Sequence, residues 1–394
     1  MQLTKKNTLP KDWRRAYLVG RVWAPGKLGG PSPVALVSGE LYDLSAFFPT
    51  TSELLNTNNP KKSIERAISS GAPRVRDLSS VIENTRYSNR DPRAYYFLSP
   101  CDLQAIRACG VTFVSSMVER VIEEFAKGDS DKALEIRKKI GSVIGSQISE
   151  VRPGSADAVR LRKVLIEQGL WSQYLEVGIG KDAEVFNKAQ PLSSVGTGAQ
   201  IGIRADSKWN NPEPELVLSV NRAGKIVGAT LGNDVNLRDF EGRSALLLGK
   251  AKDNNASCSL GPFVRLLDDH FSFEELQKTL VRISVSGRDG YVLDGVSDLR
   301  AISRSPAELV KQAINRAKQY PDGLVLFLGT QFAPIADRNL VGQGFTHKIG
   351  DIVSIRSDFL GGLINEVAHS DVAPPWTYGL SDLMRNLAAR GLLT

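Results

Sequence analysis

The stretch from residue 211 to 262 limits the fold more than any other part of the chain. Glu213 and Glu215 alternate with Pro212 and Pro214 at the head of an apolar run, 216–220. Asn221-Arg222-Ala223-Gly224-Lys225 is rich in turn residues, and a second apolar run, 226–231, leads on to Asp234. Two short apolar runs around a Gly-containing turn read as an antiparallel hairpin. Side chains alternate along a strand, so Glu213 and Glu215 share one face. The prolines confine this end of the strand to an edge or an entry position. Folding about residue 223 sets 233 opposite 213, and one residue of slip brings Asp234 beside both glutamates.

The same texture recurs. Residues 16–23, 34–37 and 40–44 are short strand-like runs, the last two around Ser38-Gly39, with a Pro/Gly loop over 25–31. A helical fragment covers 63–69. These features predict a small β-rich N-terminal domain over 1–95 and a larger domain over 96–394. In the larger domain Phe113, Met117, Val121 and Phe125 recur at helical spacing. Helical patterns continue over 133–144, 156–174, 272–280 and 306–320. Strand-like runs occupy 200–204, 324–328 and 351–357. Short strands in hairpins with few helices between them point to a β-rich α+β fold, not a doubly wound parallel sheet. No GxGxxG opens a helix, and neither GxxxxGK[ST] nor GxSxG is present, so nucleotide-binding and serine-hydrolase readings lack local support.

Charge and cysteine usage narrow the setting. The chain carries 50 Lys+Arg against 43 Asp+Glu, a net charge of +7, with acids and bases interleaved. The densest basic stretch, Arg137-Lys138-Lys139, reads as a solvated helix face. Without an aromatic RNA-binding motif, a zinc finger or a basic arm, no nucleic-acid partner is expected. Three cysteines, Cys101, Cys109 and Cys258, make neither a disulfide framework nor a zinc site. The first residues hold no apolar signal segment, and no apolar run approaches the ~18 residues of a membrane span. The expected setting is a reducing cytoplasm, with no membrane partner.

Three carboxylates on one face repel one another, and a bound divalent cation removes that cost. Oxygen ligands without His or Cys select a hard ion, Mg²⁺ before Mn²⁺ or Ca²⁺. Ordinary surface acids produce the same Glu-x-Glu pattern, so the residues alone leave both readings open.

Glu-Pro-Glu-Leu, a strand, a Gly turn, Gly-x-Thr-x-x-Asn-Asp-x-x-x-Arg-Asp, a Lys and then Gly-Pro together resemble the fumarylacetoacetate hydrolase superfamily. The resemblance is dense over 199–262 and traceable from about 98 to 365. It implies a mixed β-sandwich roll, and it implies that Glu213, Glu215 and Asp234 hold the divalent metal. It places Lys252 in the active site and gives Gly329-Thr330 to the substrate carboxylate. Arg238 and Lys188 complete the substrate side by orienting carboxylates. Glycine at 329 lets an anion approach backbone N–H groups, which suits that role.

Two features narrow the resemblance to the 2-keto-3-deoxy-pentonate dehydratases of that superfamily. Only 19 positions separate Glu215 from Asp234, whereas the hydrolytic branch has a longer excursion there. Asp182-Ala183-Glu184-Val185-Phe186-Asn187-Lys188 and Arg204-Ala205-Asp206-Ser207-Lys208-Trp209 are also similar to that group. The hydrolytic branch carries a His-x-x-Glu dyad on a lid helix. Here Glu119 is kept, but Ser116 stands where the His belongs. A hydrolase needs such a pair to activate water.

The implied chemistry is Mg²⁺-dependent dehydration of a 2-keto-3-deoxy-D-pentonate, of xylonate or arabinonate type, to 2,5-dioxopentanoate. Glu184 is the candidate base at C3, and Lys252 stabilises the enolate oxygen or the leaving hydroxyl. Glu119 and Ser116 lie on the lid, facing substrate hydroxyls. The implied assembly is a homodimer or homotetramer. Two alternatives stay open: a hydrolase of acylpyruvates or 2,4-diketo acids, and a passive sugar-acid-binding protein. Cys258, the three histidines, Trp209 and Trp376 are read as structural or surface residues.

Overall fold

The computed structural model describes residues 2–75, 77–138, 148, 151–338 and 344–393. Its spine is an 11-stranded sheet built around the expected hairpin. Strand Pro214–Val220 pairs antiparallel with Ile226–Asp234, which pairs antiparallel with Cys258–Leu266. On the far side of Pro214–Val220 lie Leu324–Phe327, then Ala105–Cys109 in parallel, then Val185–Ala189. Pro214–Val220 is buried along its whole length, as a central strand covered on both faces must be.

The turn is built as its residues demand. Gly224 sits at φ +77, in the left-handed region. The Asn221 side chain accepts the N–H groups of Ala223 and Lys225 at 3.1 and 2.9 Å, an Asx turn that fixes where the chain reverses. The register places Pro214 against Asn233 and Glu215 against Gly232. The expected one-residue slip is present.

The N-terminal strands Leu18–Ala24, Gly30–Val37 and Glu40–Asp43 form as expected. They continue the central sheet, because Leu18–Ala24 pairs with Cys258–Leu266. The expected boundary near residue 95 therefore falls within one continuous sheet. A second, five-stranded sheet contains Val292–Asp298, Leu280–Ser286, Ile352–Ser357, Gly361–His369 and Gln200–Ile203. Leu216, Leu218, Ala229 and Leu231 of the first sheet share a core with Ile283, Val285, Ile355 and Leu363 of the second. Burying each of those larger side chains contributes about 1.5–3 kcal/mol, so this layer anchors the hairpin.

The helices differ from expectation at their ends. The 156–174 pattern divides into Ala156–Glu167 and Gln173–Ile179. Gly169 at φ +68 breaks it, and the Ser172 hydroxyl caps the second helix. The 306–320 pattern stops at Ala313, where Ile314 turns extended. Of the 133–144 pattern, residues 130–136 are helical and 139–144 lie outside the described residues. Among the described residues no helix is long and apolar enough to cross a membrane. All three cysteines are buried and free.

Candidate active site

The hairpin delivers its carboxylates to one place. Glu213, Glu215 and Asp234 are buried, and one ligand oxygen from each lies within 4.8 Å of the others. The Asp234 N–H donates to the Glu213 carbonyl at 3.0 Å, which locks the strand ends together. Glu213 N–H donates to the Asn233 side chain, also at 3.0 Å.

Cations from other elements reach into this cluster. Lys252, on the short helix Leu248–Lys252, places Nζ 2.6 Å from Glu213 Oε2 and 3.2 Å from Asp234 Oδ2. Lys188, without exposed surface, places Nζ 3.0 Å from Asp234 Oδ1 and also donates to the Lys252 carbonyl. It holds a carboxylate from behind and does not face the cleft. Burial would lift the Asp234 carboxyl, but Lys188 and Lys252 more than offset it and hold it below the usual range. Burial opposes the Lys252 ammonium, yet Asp234 and Glu213 raise it above its usual value, so it stays charged.

Glu215 is different. Burial, then Asp234 and Glu213, push its carboxyl well above the usual range. Its Oε2 accepts the Gly329 N–H at 2.6 Å. Gly329 sits at φ +83, and a Cβ there would meet Thr112 Oγ1 at 2.1 Å, so glycine is required. Its amide is thus engaged with Glu215, and of the Gly-Thr pair it is Thr330 that lines the cleft. The residues present fit a divalent cation: three oxygen donors converge, and one of them is destabilised as an anion where it stands.

The helix Val114–Phe125 supplies the opposite wall. Ser116, Glu119, Arg120 and Glu123 follow the i, i+3, i+4, i+7 spacing and so share one face. Ser116 Oγ donates back to the Phe113 carbonyl at 2.9 Å. Arg120 hydrogen-bonds Glu213 Oε1, reaches Glu123 at 2.5 Å, and lies 3.1 Å from Glu241. Arg238 donates to Glu123 at 2.6 Å and to Glu119 at 3.2 Å, and its guanidinium lies 4.2 Å from the Trp209 ring centroid. Arg137, expected as a solvated helix residue, instead donates to both Glu119 oxygens at 2.9 and 2.6 Å, because a partly buried acid with two well-placed oxygens outcompetes water for it. Glu123 is held low by Arg120 and Arg238 against the effect of burial. A narrow cleft lined by Ser116, Glu119, Arg120, Glu213, Arg238 and Thr330 opens onto the cluster.

Glu184 precedes strand Val185–Ala189 and lies over Gly110 at the end of Ala105–Cys109. Burial pushes its carboxyl up to about 7, helped by Glu241 and Glu213 and opposed by Lys252 and Arg120. A largely buried carboxyl poised there is equipped to exchange protons near neutrality.

Of the expected site residues, Ser116, Glu119, Glu213, Arg238 and Thr330 line the cleft, Glu215, Asp234, Lys252, Lys188 and Gly329 lie behind it around the carboxylate cluster, and Glu184 lies over Gly110 beyond it. The sequence reading missed Arg120, Glu123 and Glu241. The polar stripe along 116–123 was a signal for the first two. Glu241 lies on the four-residue helix Arg238–Glu241, too short to show a period. His347 is buried against Asp351, with Nδ1 3.2 Å from the carboxylate, as befits a structural residue.

No protein-family model matches the chain. Over 202 residues it is 37% identical to a probable 2-keto-3-deoxyxylonate dehydratase of Haloferax volcanii, a match covering 51% of this chain and 65% of that protein. Over 185 residues it is 35% identical to a 2-dehydro-3-deoxy-D-arabinonate dehydratase of Saccharolobus solfataricus, covering 47% and 58% respectively. The chain therefore spans under two thirds of the length of either relative. A solved structure of 2-keto-3-deoxy-D-arabinonate dehydratase complexed with magnesium and 2,5-dioxopentanoate aligns with 89% of this chain and 99% of its own, at TM-score 0.59 and 22% identity. A fumarylacetoacetate hydrolase from Exiguobacterium antarcticum aligns with 90% and 99%, at TM-score 0.54 and 14% identity. These two likenesses show the fold: a sheet-rich α+β architecture of the fumarylacetoacetate hydrolase type.

Proposed function

We propose that the chain is a Mg²⁺-dependent hydro-lyase that converts a 2-keto-3-deoxy-D-pentonate, of xylonate or arabinonate type, into 2,5-dioxopentanoate. One observation carries this reading. Three buried carboxylates converge, the Lys252 ammonium bridges two of them, and the nearby Glu184 carboxyl is lifted to about 7. The two curated relatives bear names of this activity, and a structure of the same fold holds the magnesium and the stated product.

Glu213, Glu215 and Asp234 would hold the cation. When bound, the ion supplies a Lewis acid for the 2-oxo group and neutralises part of the carboxylate charge. Glu184 takes the C3 proton, directly or through a water. The C4–O bond then breaks, and the hydroxyl leaves as water with one proton. A proton then moves from C5 to C3, and the resulting C4=C5 enol passes its hydroxyl proton to C4, which yields the C5 aldehyde. Lys252 donates to the enolate oxygen or to the departing hydroxyl. Thr330 offers its hydroxyl to the substrate carboxylate, while Arg238 and Lys188 hold Glu123, Glu119 and Asp234 in place. Ser116 and Glu119 face the substrate hydroxyls. The narrow cleft and its buried walls keep bulk water from the enolate.

The test is turnover of 2-keto-3-deoxy-D-xylonate by the purified chain, with and without Mg²⁺, coupled to an α-ketoglutarate-semialdehyde dehydrogenase. Metal-dependent semialdehyde formation, lost in Glu184→Gln, is expected. Cleavage of an acylpyruvate to pyruvate, with no semialdehyde, would sink the dehydratase reading in favour of the hydrolase. Residues with an oxygen-only ligand set make Mg²⁺ the native ion of this proposal, and the cytoplasm and a homodimer or homotetramer are its setting.

A further inference from the structure

Both oxygens of Glu213 are already taken by cationic donors. Arg120 occupies Oε1 and Lys252 occupies Oε2. A cation that binds Glu213 repels both of these charged donors at close range, which favours release of one of them. The two are not equally free to let go. Lys252 also bridges to Asp234 at 3.2 Å, a second ligand. Arg120 has two further acids that are not ligands, Glu123 at 2.5 Å and Glu241 at 3.1 Å. Released from Glu213, its guanidinium remains compensated, so the exchange leaves no buried charge unpaired. A guanidinium presents several donors in a fixed fork, which lets one arm release while the other holds.

We propose that Arg120 is the internal counter-ion that a divalent cation displaces from Glu213, and that it thereby sets the affinity of the site for metal. This rests on the metal reading given above. Arg120 is a positioning residue: it acts through Glu213. Its charge makes the metal-free site stable and makes the metal compete for its ligand.

The experiment is Mg²⁺ binding to wild type, Arg120→Met and Arg120→Lys by isothermal titration calorimetry, without substrate. A displaced counter-ion predicts that Arg120→Met binds Mg²⁺ more tightly than wild type, on the order of tenfold, about 1.4 kcal/mol. Arg120→Lys, which keeps the charge, should stay near wild type. A residue that merely shapes the site predicts the opposite sign, with weaker binding in both variants. Equal or weaker binding in Arg120→Met overturns the proposal. If that variant fails to fold, wild type crystallised with Mn²⁺ decides the matter. A lost Arg120–Glu213 contact supports the exchange, and a retained one refutes it. Wild type that binds no divalent cation at millimolar concentration instead sinks the metal reading itself, a result separable from failure of the exchange.

Discussion

Gly110→Ala tests the position of the proposed base without touching it. Gly110 follows strand Ala105–Cys109, and its N–H donates to the Glu184 carbonyl at 3.3 Å, so the two residues face each other across the strand end. The backbone of Gly110 is not in the left-handed region, so alanine is tolerated locally. The new Cβ would lie 1.8 Å from Glu184 Oε2 and 2.7 Å from its Cδ. Ordinary contact needs about 3.5 Å, so the carboxylate oxygen must retreat by roughly 1.7 Å. Displacements near 1 Å in a reacting group cost on the order of 10²-fold in rate. The contact falls on the end of a flexible side chain, so the fold yields with a stability change within about 1 kcal/mol. The assay is kcat from the coupled semialdehyde reaction, beside Mg²⁺ affinity and the urea midpoint. We expect kcat to fall about 10²-fold while the other two hold. A kcat within about threefold of wild type would show that a Glu184 carboxylate over Gly110 is not the working base. Loss of Mg²⁺ binding would place the damage at the ligands and refute the assignment to the base.

Other outcomes follow from the same site. Glu184 must be ionised to accept a proton, and burial lifts it to about 7. The kcat/KM profile should therefore rise with pH through an apparent value near 7, and a limb at the ordinary carboxylate range would contradict the assignment. Lys188→Met removes one of the two cations on Asp234 and leaves that buried carboxylate under-compensated. Its expected cost is about 3–5 kcal/mol in urea denaturation, and a loss below about 1 kcal/mol would mean the pair contributes nothing. Glu215→Gln acts in the other direction. Its folded-state carboxyl is raised, so the ionised form is penalised at pH values above the unfolded-state range, and the penalty grows as pH rises. The glutamine should raise the urea midpoint of the metal-free chain at pH 8 while abolishing Mg²⁺ binding, and a lowered midpoint would contradict the electrostatic account.

What the sequence disclosed was what neighbours along the chain decide. The hairpin from Pro214 to Asp234 needs only alternation, a turn, and the arithmetic of folding about residue 223. Asn221 and Gly224 fix that turn through contacts spanning four residues or fewer. Strand Cys258–Leu266 went unread because it is buried on both faces and so shows no alternation. Leu280–Ser286 does alternate, with Val281, Ile283 and Val285 inward, and was legible but missed. The three clustered carboxylates, Lys188 and Lys252 were readable, whereas the Arg120 counter-ion and the pairing of Arg238 with Glu123 were not. Arg120 meets Glu213 across 93 positions and Arg238 meets Glu123 across 115, distances over which no local period carries information. The helix stripe placed Arg120 on the right face, but only the fold could aim that face at the hairpin.

The pairing of charges at the site is uneven, and the unevenness carries meaning. Asp234 has Lys188 and Lys252, and Glu213 has Lys252 and Arg120. Glu215 receives a backbone N–H, and its carboxyl is driven upward. A cluster serving stability alone would be better replaced by apolar residues of similar volume. Here the folded chain pairs two of its three clustered carboxylates with its own cations and leaves the third short of positive charge. On the proposed reading, that shortfall is what draws a cation from solution, and Arg120, as the exchangeable partner of Glu213, sets how tightly it is held.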